Sequence, residues 1–259
     1  MTIENLDTLS ESDLLSRLDK SQLPKHLAII MDGNGRWAAK RHLPRISGHK
    51  EGIVAVRKIV TCARQLGIRF LTLYAFSSEN WNRPTTEVSQ LMRLLGLYLK
   101  KELKTLMADQ ICLKAIGQTD RLPKAILELL LSVSEQTRDN NEMTLTLALS
   151  YSGRGDIVDA VRHVCNDVQN QKIAIGDLSE TVFSNYLHTK AMPDPDLMIR
   201  TSGEIRISNF FLWQLAYTEL YFTKTFWPDF GRKEFLLALL DYQARERRFG
   251  GVPAPTEAV

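Results

Sequence analysis

The 259-residue chain is 44% hydrophobic and 24% charged, a composition typical of a single globular domain that is large enough to bury a substantial core. Its 33 basic and 30 acidic residues give a formal net charge of +3, so we predict no nucleic acid partner and only local basic sites. The three cysteines lie far apart, which argues against a disulfide framework and favours a reduced, cytoplasmic setting. No stretch resembles a signal peptide or a membrane span, so any membrane contact is expected to be peripheral.

Three segments are predicted along the chain. Residues 1–24 form a polar, loosely held N-terminal arm with a short amphipathic piece that carries Leu14 and Leu18. Residues 25–250 form one domain, expected to be the catalytic one, without internal repeats or linkers. Residues 251–259 form a flexible tail.

Runs with strand and helix periodicity alternate within this domain. The apolar runs predict β-strands at 27–31, 70–76, 111–117, 143–151 and 196–201. The amphipathic runs predict helices at 47–66, 86–107, 123–138, 154–169, 178–189 and 231–248. Strands that alternate with helices are typical of α/β folds, so we predict a central, mostly parallel six-stranded sheet flanked by helices on both faces.

The first predicted strand ends in a polar, glycine-rich stretch, Asp32-Gly33-Asn34-Gly35-Arg36. Glycines allow the backbone to approach a phosphate closely, and the Arg36 guanidinium adds a forked donor. The Asp32 carboxylate is suited to hold a divalent cation against the same phosphate oxygens. A short surface turn without a ligand would have the same composition, so this stretch alone leaves both interpretations open.

Two later polar stretches also follow predicted strands. Residues 77–84 combine polar and aromatic side chains, which suits either a mobile loop over a substrate or an ordinary surface turn. Residues 200–209 carry two arginines and several hydroxyls, which suits either a diphosphate site or a solvated surface. Because ligands of parallel sheets bind beyond the carboxyl ends of the strands, Asp32, Ser77 and Arg200 are expected to converge on one pocket.

Glu219 stands out because apolar residues flank it, with Leu215 and Ala216 before it and Leu220 after it. An acid in such surroundings is usually paired, so either a metal ion or an arginine is expected beside it. The partly exposed end of a helix or strand is the alternative explanation.

The helix predicted at 86–107 has apolar residues on two sides. Most of its leucines form one stripe, whereas Leu94 and Leu97 lie on the opposite side. The helix therefore either lies between two packed layers or turns one face toward a hydrophobic cavity. Gly96 in its middle costs about 1 kcal/mol relative to alanine, which indicates that a neighbouring group needs room beside the backbone.

Taken together, several of these stretches resemble the signature blocks of one enzyme family. The blocks are HLAIIMDGNGRW at 26–37, AFSSENWNRP at 75–84, IRTSGEIRISNF at 199–210, ELYF at 219–222 and the pair Trp227-Pro228. They occur in order over most of the chain, which is therefore similar to the cis-prenyltransferases, in particular to the bacterial undecaprenyl diphosphate synthases. It departs from the family pattern at Ser202, where many relatives have glycine, and at Ile205, where some have histidine.

The resemblance implies a Mg²⁺-dependent transferase that lengthens prenyl chains. In this reaction the double bond of isopentenyl diphosphate attacks C1 of an allylic diphosphate such as farnesyl diphosphate, diphosphate leaves, a proton is lost and a cis double bond forms. Repeated rounds give a long polycis-prenyl diphosphate such as undecaprenyl diphosphate, the precursor of the lipid carrier for cell-wall synthesis. The departing diphosphate requires a metal and donors that bind the developing charge more strongly than the ground state.

The family pattern also assigns roles to residues of this sequence. Asp32 and Asn80 are the catalytic pair, although the role of Asn80 stays open because an amide is a very weak base. Mg²⁺ is expected at Asp32 and Glu219. The residues expected to bind the allylic substrate are Gly33, Asn34, Gly35, Arg36, Trp37, Arg45 and His49, with Trp37 near the prenyl end. The residues expected to bind isopentenyl diphosphate are Arg200, Arg206, Ile207 and Ser208, and those expected in the covering loop are Ser77, Ser78, Glu79, Trp81 and Arg83.

The resemblance makes the two-faced helix one wall of a hydrophobic tunnel between the sheet and the helices, which would hold the growing chain. Gly96 would leave space in that tunnel, so a bulky residue there is predicted to shorten the product. A homodimer is expected because bacterial members of the family pair, with Arg248 near the partner's site. The apolar product implies transient contact with the membrane surface, although no basic amphipathic helix is evident in the sequence.

Three alternatives fit the sequence less well. A trans-type prenyltransferase would carry an Asp-Asp-x-x-Asp motif on an all-helical fold. A phosphatase of the aspartyl-phosphate type would carry an acid where Asn34 stands. A catalytically silent partner subunit would lack the acid at Asp32 and would carry a membrane anchor. We therefore predict an active enzyme.

Overall fold

In the computed structural model, which describes residues 3–247 and the side chains from Leu6 onward, six β-strands form one sheet. The strands are β1 (His26–Ile30), β2 (Phe70–Ser77), β3 (Ile111–Ile116), β4 (Met143–Tyr151), β5 (Leu197–Arg200) and β6 (Glu219–Phe222). They lie in the order β3-β4-β2-β1-β5-β6, and every neighbouring pair is parallel. The predicted α/β class and the number of strands are therefore confirmed.

Helices connect the strands and cover the sheet. The helices of the described residues are α1 (Glu11–Arg17), α2 (Asn34–Lys40), α3 (Arg45–Leu66), α4 (Thr85–Ala108), α5 (Lys124–Gln136), α6 (Gly153–Gln169), α7 (Glu180–Ser184) and α8 (Arg232–Gln243). Within residues 3–247, no helix combines the length and the apolarity that crossing a bilayer requires.

Both faces of the sheet are buried, as the central strand β1 shows. Leu27 and Ile29 point into the larger hydrophobic core, to which α1, α3, α4, α5 and α8 contribute. Ala28 and Ile30 point the other way, into a smaller core that contains Phe210 and Phe211. Side chains alternate between the two faces of a strand, and both faces are covered here, so every residue of β1 is buried. A ligand can therefore reach polar groups of this part of the chain only beyond the end of β1.

Three elements differ from the sequence-based prediction. The sixth strand, β6, was not located, because its four residues are too few to show a period. The helix predicted at 178–189 is only the five-residue α7, and the chain beyond it is irregular although Leu187 is buried. Finally, α2 begins directly after Gly33, where only a glycine-rich turn was expected.

The N-terminal arm is held more firmly than expected. Leu14 of α1 is fully buried and belongs with Leu18 to the larger core, where α1 packs against α8. The ammonium group of Lys233 also donates to the backbone oxygen of Asp7 at 2.6 Å. Two leucines in a polar stretch are a weak sequence signal, which explains why a loose arm was predicted. The predicted tail at 251–259, like Arg248, lies outside the described residues.

Candidate active site

A cavity of about 640 Å³ opens beyond the carboxyl ends of β1, β2 and β5. Asp32, Ser77 and Arg200 all line it, so the predicted convergence of three separate stretches on one pocket is confirmed. Away from these residues the wall is apolar, and it includes Ile53, Val56, Leu73, Leu91, Leu95 and Leu147. Of the two interpretations of the helix at 86–107, the one in which α4 lines a cavity is therefore correct.

Asp32 lies just past the end of β1, between two arginines. Its Oδ2 accepts a hydrogen bond from Nη2 of Arg200 at 2.8 Å and lies 3.2 Å from Nη2 of Arg36. Its Oδ1 accepts the backbone N–H of Gly33 at 2.7 Å. Burial opposes ionisation of this carboxyl, but the hydrogen bond and charge of Arg200, with help from Arg36, hold the pKa of Asp32 below its ordinary value. Asp32 is therefore a carboxylate at neutral pH.

The turn after Asp32 depends on Gly33. Its φ of +104° is a left-handed conformation, and a Cβ atom there would lie 2.8 Å from side-chain atoms of Ser202 and Phe226. Gly33, Asn34 and Gly35 all line the cavity. The backbone of this stretch can therefore approach a ligand closely, as the phosphate-cradle interpretation requires.

Two further arginines are held at the cavity by Glu87, at the start of α4. Oε1 of Glu87 lies 3.2 Å from Nε of Arg45 and 3.0 Å from Nη1 of Arg83. Arg45, Arg83 and the nearby His49 all line the cavity. The sequence analysis missed Glu87, although its spacing four residues after Arg83 in a helix start is typical of an ion pair.

Three buried polar atoms at this end of the cavity have no hydrogen-bond partner within the described chain. They are Oδ1 of Asn34, Nε2 of His49 and Nε of Arg200. Burying such atoms without a partner is unfavourable, so a ligand is expected to satisfy them. Burial lowers the pKa of His49 to about 4, and the charge of Arg83 acts in the same direction. The imidazole is therefore neutral at pH 7 before an anion binds beside it.

The loop after β5 joins the site through Glu204. Glu204 pairs with Arg206 and, at 2.6 Å, with Arg36. Glu204 thus brings Arg36 and Arg206 together. Ser202, which also accepts a hydrogen bond from Arg36, has a φ of +77°, a conformation that favours glycine, the residue expected at this position from the family pattern.

The segment after β2 is an ordered turn in this structure. Two hydrogen bonds join a short 3-10 helix, Ser78–Asn82, to the end of β4. Ser78 Oγ donates to the backbone oxygen of Ser150 at 3.0 Å, and Trp81 Nε1 donates to Oγ of Ser150 at 2.9 Å. Asn80 lines the cavity, and its Oδ1 accepts the backbone N–H of Ser77 at 3.2 Å. Asn80 can therefore offer a ligand the two N–H donors of its NH₂ and one remaining lone pair on its oxygen.

Several predicted substrate-binding residues do not line the cavity. They are Arg36, Trp37, Ser78, Trp81, Arg206 and Ile207. Trp37 donates its Nε1 to Asp229 at 2.7 Å and lies under the Arg41 guanidinium at 4.2 Å, so its side chain makes its contacts outside the cavity, and its place near the prenyl end stays a prediction. The Ile207 side chain packs against the smaller core instead.

Glu219 is not close to Asp32 within one chain, contrary to the predicted shared metal site. Glu219 begins β6 and is in register with Leu197 of β5, which pairs with Leu27 of β1. Asp32 follows the other end of β1, roughly 16 Å further along the strand direction. Glu219 Oε2 instead lies 2.9 Å from Nη1 of Arg245, so the arginine alternative is the one observed.

Gly96 faces away from the cavity, which corrects its predicted place in the tunnel wall. A Cβ atom at this position would lie 2.8 Å from Cδ1 of Ile126, on α5. The cavity is lined instead by Leu94, Leu95 and Tyr98 of the same helix. Gly96 therefore allows α5 to pack closely against α4.

The donor set at Asp32 fits a metal ion that arrives with a diphosphate. Among residues 3–247 no group of three or more His, Cys, Asp or Glu side chains could hold a metal by itself. Mg²⁺ commonly binds through one or two carboxylates together with substrate phosphates, and it retains several waters. A single ionised carboxylate at the edge of a phosphate-sized polar pocket meets that requirement.

Two residues of the site were missed because no sequence signal separated them from their neighbours. Tyr98 lines the cavity among the leucines of α4, and no pattern in the sequence set it apart from them. Asn209 also lines it, and its Nδ2 donates to Glu79 at 2.8 Å. Asn209 directly follows Ser208, so the block at 199–210 contained the only available hint.

Comparisons with known proteins agree with these features. Residues 30–250 match the family model described as "Putative undecaprenyl diphosphate synthase". Isoprenyl transferase of Geobacter sulfurreducens is 52% identical over 233 residues, which cover 90% of this chain and 95% of that protein. Isoprenyl transferase of Bacillus anthracis is 48% identical over 239 residues, which cover 92% and 93%.

Two solved structures share the fold. The structure of lavandulyl diphosphate synthase from Lavandula x intermedia, in complex with dimethylallyl diphosphate, has a TM-score of 0.86 and 40% identity, and the match covers 88% of this chain and 98% of that chain. The structure of a probable undecaprenyl diphosphate synthase from Campylobacter jejuni has a TM-score of 0.73 and 32% identity, with the same coverage of 88% and 98%.

Proposed function

Because the chain belongs to the undecaprenyl diphosphate synthase family of prenyltransferases, we propose that it condenses isopentenyl diphosphate repeatedly with an allylic diphosphate, beginning with farnesyl diphosphate. The product is then a long polycis-prenyl diphosphate such as undecaprenyl diphosphate, which supplies a lipid carrier for cell-wall synthesis. The isoprenyl transferase relatives support the reaction class, and the lavandulyl diphosphate synthase complex supports an allylic diphosphate as a ligand of this fold.

One observation carries this proposal: a single cavity is polar and cationic at one end and apolar along the rest. Arg45, Arg83, Arg200 and His49 line the polar end, and unpaired buried atoms lie among them. Leucines of α4, with residues of α3, β2 and β4, line the remainder. A prenyl diphosphate has the same division into a charged head and an apolar tail.

The chain's own residues act mainly on the departing diphosphate. Arg45, Arg83, His49 and Arg200, with Gly33, all line the cavity. Ion pairs and packing hold these donors in place before the reaction, so they stabilise charge that develops as the C1–O bond breaks. When bound, Mg²⁺ would be held by Asp32 and would neutralise further diphosphate charge.

We assign Asn80 a positioning role toward the substrate, since its amide oxygen already accepts the Ser77 N–H. The proton lost from isopentenyl diphosphate after the new carbon–carbon bond forms would pass to an oxygen of the departing diphosphate, which is a stronger base than an amide.

We also propose that the enzyme acts in the cytoplasm as a homodimer and touches the inner membrane surface transiently. The surface around β6 supports the pairing, because β6 is an edge strand. The loop that bonds to the end of β6 through the N–H of Gly203 and the backbone oxygen of Thr223 also carries Ile205, which is 79% exposed. Any contribution of Arg248 to a partner's site stays a prediction.

The length of the apolar wall is proposed to set the length of the product. Replacing Leu95, a cavity residue, by tryptophan is expected to shorten the product by at least one isoprene unit, because the larger ring occupies space that the chain needs. Gly96→Ala is the matched control one residue further along α4: it should disturb the contact with Ile126 and leave product length unchanged. Chromatography of the extracted lipids measures both, and a shorter product from the control alone would contradict the assignment.

The proposed reaction can be tested directly with the purified chain, farnesyl diphosphate, radiolabelled isopentenyl diphosphate and Mg²⁺. Label is expected in a solvent-extractable product several isoprene units longer than the starter, and chelation of the metal is expected to abolish it. If both diphosphates bind in equilibrium dialysis but no longer product forms, the chain is a prenyl-diphosphate-binding protein and the proposal is wrong.

A further inference from the structure

The solvent-facing side of α4 carries a row of cations. A helix repeats every 3.6 residues, so residues spaced by three or four along α4 share one face. The outer face of α4 consists of Arg93, Leu97, Lys100, Lys101, Lys104 and Met107, and all six are exposed. Four of them are positively charged and two are apolar.

The acidic residues of α4 lie on other sides of the helix and are already paired. Glu87 pairs with Arg83 and Arg45, at the cavity. Glu102 is buried and lies 2.6 Å from Nε of Arg57, on α3. Neither acid therefore neutralises the outer face of α4.

The neighbouring helix α5 does not neutralise it either. Glu128 of α5 lies 3.9 Å from Lys124, and Glu135 pairs with Arg138. In the part of the chain that the structure describes, none of the four cations on the outer face of α4 takes part in an ion pair shorter than 4.0 Å. The face therefore presents four positive charges that no described acid neutralises in an ion pair.

This positive surface lies directly outside the apolar cavity. Leu95 and Tyr98 line the cavity, whereas Leu97, which lies between them in the sequence, is 44% exposed on the outer face. Met107, near the end of α4, is 41% exposed. A single helix thus separates the apolar cavity from a cationic surface that also offers two apolar side chains.

We propose that the outer face of α4 docks the protein on the surface of an anionic phospholipid bilayer. Lysine and arginine are attracted to anionic headgroups, and Leu97 and Met107 can enter the boundary between headgroups and acyl chains. Apolar side chains among the cations favour a lipid surface over a soluble polyanion. This inference rests on the proposed function, because docking on a bilayer is useful when a long apolar product must pass from the cavity into lipid.

Sedimentation with lipid vesicles tests the proposal. The full-length wild-type chain is expected to bind vesicles of phosphatidylglycerol and phosphatidylcholine, and to bind vesicles of phosphatidylcholine alone far more weakly. In the double variant Lys100→Gln with Lys104→Gln, binding to the anionic vesicles should fall roughly twenty-fivefold, about fivefold for each cation removed. Raising the ionic strength should weaken wild-type binding in the same direction.

The matched control removes two exposed lysines elsewhere, Lys20→Gln with Lys190→Gln. This control should bind the anionic vesicles as the wild type does. Any of three results would overturn the docking surface. The first is an equal loss of binding in both double variants, the second is wild-type binding by the variant Lys100→Gln with Lys104→Gln, and the third is equal binding of the wild type to neutral and anionic vesicles.

A parallel assay separates this inference from the proposed function. Incorporation of isopentenyl diphosphate in detergent solution, without vesicles, should be unchanged in both double variants, since neither alters a cavity residue. If the wild type binds anionic vesicles through α4 but forms no prenyl product, the docking surface stands and the proposed function falls. If prenyl product forms but one of the three contradicting vesicle results is obtained, the proposed function stands and only the docking surface is wrong.

Discussion

Replacing Asp32 by asparagine is expected to reduce prenyl transfer roughly a thousandfold, the size of effect seen when a charge-stabilising group is removed from an active site. Asparagine keeps the shape of the side chain but removes the charge that would hold the metal and that orients Arg200 at 2.8 Å. Arg200 is only 3% exposed, so the loss of its anionic partner should also lower the free energy of unfolding by about 2 kcal/mol. Steady-state rates with labelled isopentenyl diphosphate and urea titrations measure the two effects.

Asp229→Asn is the matched control for this prediction. Asp229 also contacts an arginine and a tryptophan, Arg41 and Trp37, but it lies outside the cavity. The control should therefore keep activity within about twofold of the wild type, as expected for an exposed ion pair. An Asp32→Asn variant that keeps a tenth of wild-type activity would show that this carboxylate is not central to the reaction.

Replacing Gly48 by alanine is expected to have the largest effect on stability. A Cβ atom there would lie 1.9 Å from the backbone oxygen of Asn34, so α2 and α3 cannot keep their present separation. Overpacking against backbone typically costs about 3 kcal/mol, and urea titrations should show a loss of that order. Because Asn34 lines the cavity, the displacement should also raise the KM for the allylic diphosphate.

Gly176→Ala provides the comparison for Gly48→Ala. No heavy atom lies within 4 Å of a Cβ atom at Gly176, so this variant should unfold at nearly the wild-type urea concentration. Equal stability of the two variants would mean that α2 can move away from α3 without loss, and that the close contact at Gly48 is not needed for the site.

The polar end of the site was largely predictable because its residues follow apolar strands. In a parallel sheet, the residues after each strand meet at one edge, so Asp32, Ser77 and Arg200 could be placed together without knowing the order of the strands. The metal role of Glu219 was expected from the family pattern instead, and because Glu219 begins its strand, it lies at the opposite edge of the sheet from Asp32 within one chain. Its position could be known only after β6 was located.

The orientation of side chains on helices was harder to predict. A helical period shows that α4 has two buried sides, but it does not show which neighbour lies on each. Gly96 was therefore assigned to the cavity, although it contacts Ile126 of α5. The cationic outer face of α4 was missed for the same reason, since its lysines separate from the buried sides only when both packing partners are known.

The two halves of the cavity come from different parts of the fold. The ends of β1, β2 and β5, the segments that follow them and the first turns of α3 supply the charged groups, whereas later turns of α3 and the middle of α4 supply much of the apolar wall. Substitutions in those helical turns can therefore change which tails fit while the reacting head remains as it is. Enzymes with the same reacting residues could therefore evolve to make shorter or longer isoprenoids through a few substitutions of aliphatic side chains in the cavity wall.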